Sequence, residues 1–209
     1  MEIHPAQNRL KSLIIGLSIA FLMFTVNLGY TMIPFWPFMT VTASILLLFS
    51  LSRIKPWKQS DWTLTNILLG IISAACLYFF FWLGHQIIQT FAPVFSQDVS
   101  SIYHFKGNTP EWIIVLTLGL IIGPSEEIFW RRFIQTEFSA YFGRINGVLL
   151  TTFLYSMVHV VSMNIVLILA AAIGGLMWGI MYTWRRTVVV ALISHTVWDI
   201  AIFSVWPLF

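Results

Sequence analysis

Glu126 and Glu127 stand side by side in "GPSEEIFWRRFIQ" (residues 123–135), with Arg131 and Arg132 a helical turn later. On a helix Glu127 and Arg131 share a face, with the acid N-terminal to the base, the favoured order for such a pair. Glu126 is turned by about 100° from Glu127, so one carboxylate can be held by a guanidinium while the other points elsewhere. Two further pairs repeat the spacing: Tyr155 and His159 in "YSMVHV", His195 and Asp199 in "SHTVWD". A carboxylate beside two imidazoles and a second carboxylate suits water activation: the acid takes a proton from water, and the others donate to an oxyanion or a leaving group. One Glu and two His also suit a zinc site with an open position for water. A divalent metal such as zinc, if bound, would take its ligands from Glu126, His159, His195 and Asp199, and residue types alone leave both chemistries open. Other hydrolytic arrangements fare worse. There is no H-E-x-x-H helix and no G-x-S-x-G elbow, and Cys76 has no neighbouring base.

The elements that must position these groups are membrane helices. The chain of 209 residues is 58% apolar and 9% charged, against roughly 25% charged in soluble domains. Ser12 to Ser52 is free of Asp, Glu, Lys and Arg and is long enough for two crossings of about 20 residues each, with a break at "IPFWPF", where Pro34 and Pro37 interrupt helices. One crossing fits at Leu64 to Ile88. Others fit at Glu111 to about Phe133 and at Thr187 to Trp206, and Ile145 to Trp184 holds two, with a turn at Ser162 to Asn164. The expectation is an all-α polytopic membrane protein of about seven transmembrane helices, forming one membrane domain over residues 1–209. The first apolar run is too long for the core of a cleaved signal peptide and is read as retained.

Lys and Arg near span ends collect on the cytoplasmic side. With a cytoplasmic N-terminus, this assignment puts every Lys and Arg except Lys106 at the inner face. The formal charge of +3 and pI near 9.2 then report topology and not nucleic-acid binding. Trp57, Trp62, Trp112 and Trp184 fall at span ends, where aromatic belts are expected. Gly175 and Gly179 have the small-xxx-small spacing of closely packed helices.

A salt-bridge anchor at the end of the fourth helix would account for Glu127 and Arg131 alone. Three polar stations on three helices ask for more, because ionisable groups within a membrane usually face a bundle interior or a water-filled cavity and pair there. The expectation is one hydrated cavity in the inner half of the bilayer. Depth is the difficulty: at about 1.5 Å per residue, His195 is about 13 Å in from Arg186 and His159 about 22 Å in from Arg144. Helix five must tilt, start deeper or re-enter, for which Gly143 and Gly147 give room.

The motifs resemble those of a known family. "EEIFWR" is similar to the E-E-x-x-x-R motif of the CAAX prenyl protease and bacteriocin-processing (CPBP, or Abi) intramembrane proteases. "YSMVH" resembles their F-x-x-x-H, with Tyr155 where Phe is usual, and "HTVWD" their H-x-x-x-N or D. The segment "GGLMWGIMYTW" resembles their glycine-rich sixth helix. The likeness covers residues 111–205 and leaves helices at about 12–88 as accessory elements. It implies an intramembrane endopeptidase in which Glu126 activates water, Glu127 and Arg131 support it, and His159, His195 and Asp199 polarise the carbonyl and face the oxyanion. It implies two substrate classes, prenylated C-terminal CAAX proteins and bacterial leader or signalling peptides. Short loops favour the second, in a bacterial cell membrane with the site toward the cytoplasm. The partners expected are a peptide or membrane-tethered substrate and the lipid bilayer. Two other readings use the same residues: a non-proteolytic bacteriocin immunity or regulatory binding protein, and a small transporter or proton relay.

Overall fold

The computed structural model describes residues 6–29 and 33–208 and is helical throughout, with no strand among the described residues. Five helices are long and apolar enough to cross a membrane: α1 (Ala6–Gly29, its span Arg9–Gly29), α3 (Leu64–Phe91), α5 (Glu111–Phe142), α6 (Arg144–Ser162) and α7 (Ile165–Arg185). The apolar α2 (Phe35–Leu51) and α8 (Val189–Val205) are shorter. Between α3 and α5 lies the short α4 (Ser96–Tyr103).

Local chemistry sets the boundaries. Pro34 precedes α2 and Pro37 falls in its first turn, where a missing N–H leaves no bond unmade. Thr63 caps α3 by accepting from the Asn66 N–H at 3.2 Å. Met163, at φ +53°, turns the chain between α6 and α7, and Asn164 then caps α7 by accepting from the Leu167 N–H at 2.8 Å. The turn expected at Ser162 to Asn164 is therefore where the chain reverses.

α5 departs from the sequence expectation. It does not end near Phe133 but continues to Phe142, because Phe129, Trp130, Phe133, Ile134 and Phe138 are all buried against neighbouring helices. The helix is also irregular. An α-helical stretch, Gly123–Glu127, sits between two π-helical ones, Leu118–Ile122 and Ile128–Gln135. Such widened turns re-aim side chains and are frequent at functional sites. Here they flank the two glutamates.

α5 and α6 form a hairpin about Gly143, whose φ of +83° suits the residue without a Cβ. A Cβ at Gly147 would lie 2.8 Å from backbone atoms of Ser139, so the two helices touch. Nearly equal lengths of chain separate Glu126 and His159 from Gly143, which brings them level. Measured from the shared turn, α5 carries the same offset as α6; the unequal counts for His195 and His159 do not keep their rings apart, since both border one cavity.

Candidate active site

Glu126, Glu127, Arg131, His159, His195 and Asp199 are all buried, none more than 8% exposed. Arg131 is thus not an interfacial residue, as the topology reading had it; among the basic side chains counted toward that face it belongs to the interior. Its Nη1 lies 3.1 Å from Glu127 Oε1, and its Nη2 donates to the Gly175 carbonyl at 3.3 Å. The guanidinium also lies over the rings of Tyr155 (4.7 Å) and Trp178 (5.4 Å), contacts that offset part of its desolvation. Gly175 permits this approach, since a Cβ there would meet Tyr155 at 3.0 Å and Arg131 at 3.5 Å. Its expected packing role is visible, and its carbonyl adds a second one.

Glu127 also joins α5 to α8, with its Oε1 2.8 Å from His195 Nδ1. The other ring nitrogen, Nε2, is 3.4 Å from Asp199 Oδ2 across one turn of α8. A neutral ring can donate to one of these carboxylates and a protonated ring to both. Trp178 stacks on the imidazole at 3.8 Å and 18°, and its indole N–H donates to Ser194 Oγ at 3.1 Å. Ser194 Oγ is in turn 3.0 Å from Ser73 Oγ of α3. His195 is held on both edges and one face.

Glu126 faces the other way, as its rotation from Glu127 predicts. Its Oε2 accepts from the Tyr155 hydroxyl at 2.7 Å, leaving Oε1 for a further partner. His159 Nδ1 meets the Tyr155 carbonyl at 2.8 Å. A ring donating there presents its Nε2 lone pair elsewhere. Tyr155 and Phe24 stand edge-on to this imidazole, at 5.1 and 5.3 Å between ring centres. The substitution of Tyr for Phe in the motif therefore has a consequence: its hydroxyl orients the glutamate.

Glu126, Tyr155, His159, Trp178, His195 and Asp199 all border one cavity of about 300 Å³. Glu127 and Arg131 lie behind its wall. The rest of the lining is mainly apolar and comes from α1 to α5, α7, α8 and the segments beside them. The cavity lies to one side of the bundle. On each long helix the lining residues stop at or before the midpoint measured from the end remote from the basic loops, or run only slightly past it, from Phe24 and Leu28 of α1 and Phe35 to Met39 of α2 to Ile202 and Phe203 of α8. The cavity therefore does not occupy the half beside Arg53, Arg144 and Arg186. That half is filled by Phe129, Trp130, Phe133 and Ile134, and by Gln135, which donates to the Gly179 carbonyl and Thr183 Oγ1, both at 2.9 Å.

A metal does not fit this arrangement of donors. Both nitrogens of His195 are turned to carboxylates, and Nδ1 of His159 to a carbonyl. Among the described residues no three His, Cys, Asp or Glu side chains are grouped to hold an ion.

Sequence reasoning missed Trp178, Ser194, Ser73 and Gln135. Trp178 lies in the segment read as packing, and the two serines have no pattern of their own. Gln135 carried one usable signal, its position four residues after Arg131 on the same helix.

Ionisable side chains from three helices converge on a largely apolar chamber, the arrangement expected of such groups inside a polytopic membrane protein. Residues 108–201, which contain every candidate site residue, match the sequence model of a family described as type II CAAX prenyl endopeptidase, Rce1-like. That segment is similar to this family, which bears out the CPBP resemblance read from the three motifs. At the family level the match supports a CAAX-protease-like intramembrane endopeptidase. No curated protein and no solved structure matches the chain.

Proposed function

We propose that the chain is an intramembrane endopeptidase that hydrolyses a peptide bond in a membrane-associated peptide with water activated by Glu126. The observation that carries the reading is the division of labour between adjacent glutamates: Glu127 is occupied by Arg131 and His195, while Glu126 borders the cavity with one oxygen uncommitted to Tyr155. Glu126 takes a proton from water as the hydroxide attacks the scissile carbonyl carbon. The carbonyl π electrons move to oxygen, and the Nε2 edge of His159 faces that oxyanion, hydrogen-bonding to it when the ring takes up a second proton. Glu126 then returns its proton to the amide nitrogen as the C–N bond breaks, giving a carboxylic acid and an amine. Glu127, Arg131 and Trp178 position His195, and Asp199 orients its second edge toward the chamber. Walls that exclude bulk water strengthen each of these interactions.

The proposal includes seven spans, with the N-terminus and basic loops cytoplasmic. It is supported by five long helices together with α2, whose 17 residues match the lower limit of about 17 for a crossing, and α8 of similar length. The substrate is a bacterial leader or signalling peptide in preference to a prenylated protein. Glu126→Gln tests the chemistry: it should fold, bind and retain an uncleaved peptide that co-purifies and is identified by mass spectrometry. Cleavage by this variant at the wild-type rate would instead remove Glu126 as the base, whereas no cleavage by either protein would favour one that acts by binding.

A further inference from the structure

Among the described residues, the side-chain hydrogen bonds between α3 and α7 lie in the half toward the basic face. Asn66 Oδ1 accepts from Arg185 Nη2 at 2.9 Å, and about two turns further along α3 the Ser73 hydroxyl reaches Met181 Sδ at 3.0 Å. Beyond that point the cavity separates them. Phe80 of α3 and Leu169 of α7 both line it, and each is 52% exposed, so they stand at its rim and not in its wall. α4 roofs the opening. Asn164 at the head of α7 donates to the Asp98 carbonyl at 2.7 Å and to Ser101 Oγ at 2.8 Å, and Tyr103 donates to the Ile202 carbonyl at 3.1 Å. In the opposite direction the floor is sealed by packed aromatic side chains and the Gln135 hydrogen bonds described above.

We propose that water and substrate reach Glu126 from the half of the bilayer opposite the basic loops, the substrate passing sideways between α3 and α7 beneath α4. The peptide this site takes is then a membrane-anchored segment whose scissile bond lies in that half, which is the extracytoplasmic one when the basic loops are cytoplasmic. A soluble cytoplasmic tail would have to cross the sealed floor. The apolar lining agrees with a segment arriving from lipid, since the residues flanking its scissile bond leave one apolar surrounding for another. The proposal rests on the endopeptidase reading for its substrate but not for its route.

Ile122 lines the cavity one turn before Glu126, and Ile173 lines it from α7. Single-cysteine variants Ile122→Cys and Ile173→Cys, on a Cys76→Ala background, are treated with a charged methanethiosulfonate in sealed vesicles of each orientation. Lys106→Cys and Lys55→Cys mark the two faces. The expected result is labelling of both cavity positions from the Lys106 face, with loss of labelling from the Lys55 face. Adding Leu169→Trp should slow that labelling several-fold, whereas Leu149→Trp, an exposed position near the basic end of α6, should not. Labelling from the Lys55 face, or from neither face, overturns the route, and a rate indifferent to Leu169→Trp removes the lateral entrance. The same labelling is expected in Glu126→Gln. Absence of cleavage by the wild-type protein would count against the protease reading while leaving the route standing.

Discussion

At the scale of single residues, the site is a problem in keeping charges inside an apolar bundle. A buried ion pair gains little over a well-packed apolar substitute, but removing one partner strands the other and costs about 3 to 5 kcal/mol. Arg131 meets Glu127, the Gly175 carbonyl and two aromatic faces, so Arg131→Ala should lower the midpoint of thermal unfolding in detergent and abolish cleavage. Glu127→Gln combined with Arg131→Ala should recover much of the stability without the activity, because the amide needs no counter-charge. Additive losses in the double variant would contradict the pairing. Tyr155→Phe is a finer probe. It removes the hydroxyl that fixes Glu126 but keeps the ring under Arg131 and beside His159. The turnover rate should fall while the unfolding temperature stays close to that of the parent protein. The glutamate, arginine and histidine residues were legible in the sequence because helical spacing alone decides which of them share a face. Trp178 was not, since only the fold lays it on His195.

At the scale of elements, the hairpin of α5 and α6 is what aligns the first two motifs. Its close contact depends on Gly147, where a Cβ would press on Ser139 Oγ and on the Ser139 backbone at 2.8 Å, and rotating the hydroxyl away leaves the backbone contact in place. Overpacking of this kind costs typically 1 to 3 kcal/mol. Gly147→Ala should therefore lower stability measurably and also displace His159 from the level of Glu126, reducing cleavage more than a loss of folded protein explains. Activity per folded molecule, compared with that of the parent protein, checks this. Most helices could be placed from the sequence, since charged residues and prolines mark the limits of the apolar runs. The far end of α5 was misjudged for a physical reason: Arg131 and Gln135 look like residues of a water interface, yet their partners on α7 bury them. The π-helical turns around the glutamates have no signature in residue type, as they are imposed by packing on both sides.

At the scale of the whole molecule, charge and cavity lie at opposite ends. The asymmetry of Lys and Arg was legible from the sequence, but the half of the bundle that stays hollow depends on how the large side chains pack. Cysteines at Lys55 and Arg185 should react with an impermeant reagent from one side of a sealed membrane, and a cysteine at Lys106 from the other. Reaction of Lys55 and Lys106 positions from the same side would contradict the seven-span arrangement. The central claim is that the molecule uses Glu126 to add water to a peptide bond. The most direct measurement reconstitutes the wild-type protein and Glu126→Gln in liposomes with the peptide trapped by that variant, and follows the appearance of its new chain ends by mass spectrometry. Loss of a general base typically removes about a hundredfold to ten-thousandfold in rate. The account predicts a loss of that order with unchanged peptide binding, whereas equal cleavage by both proteins, or no cleavage by either, would contradict it.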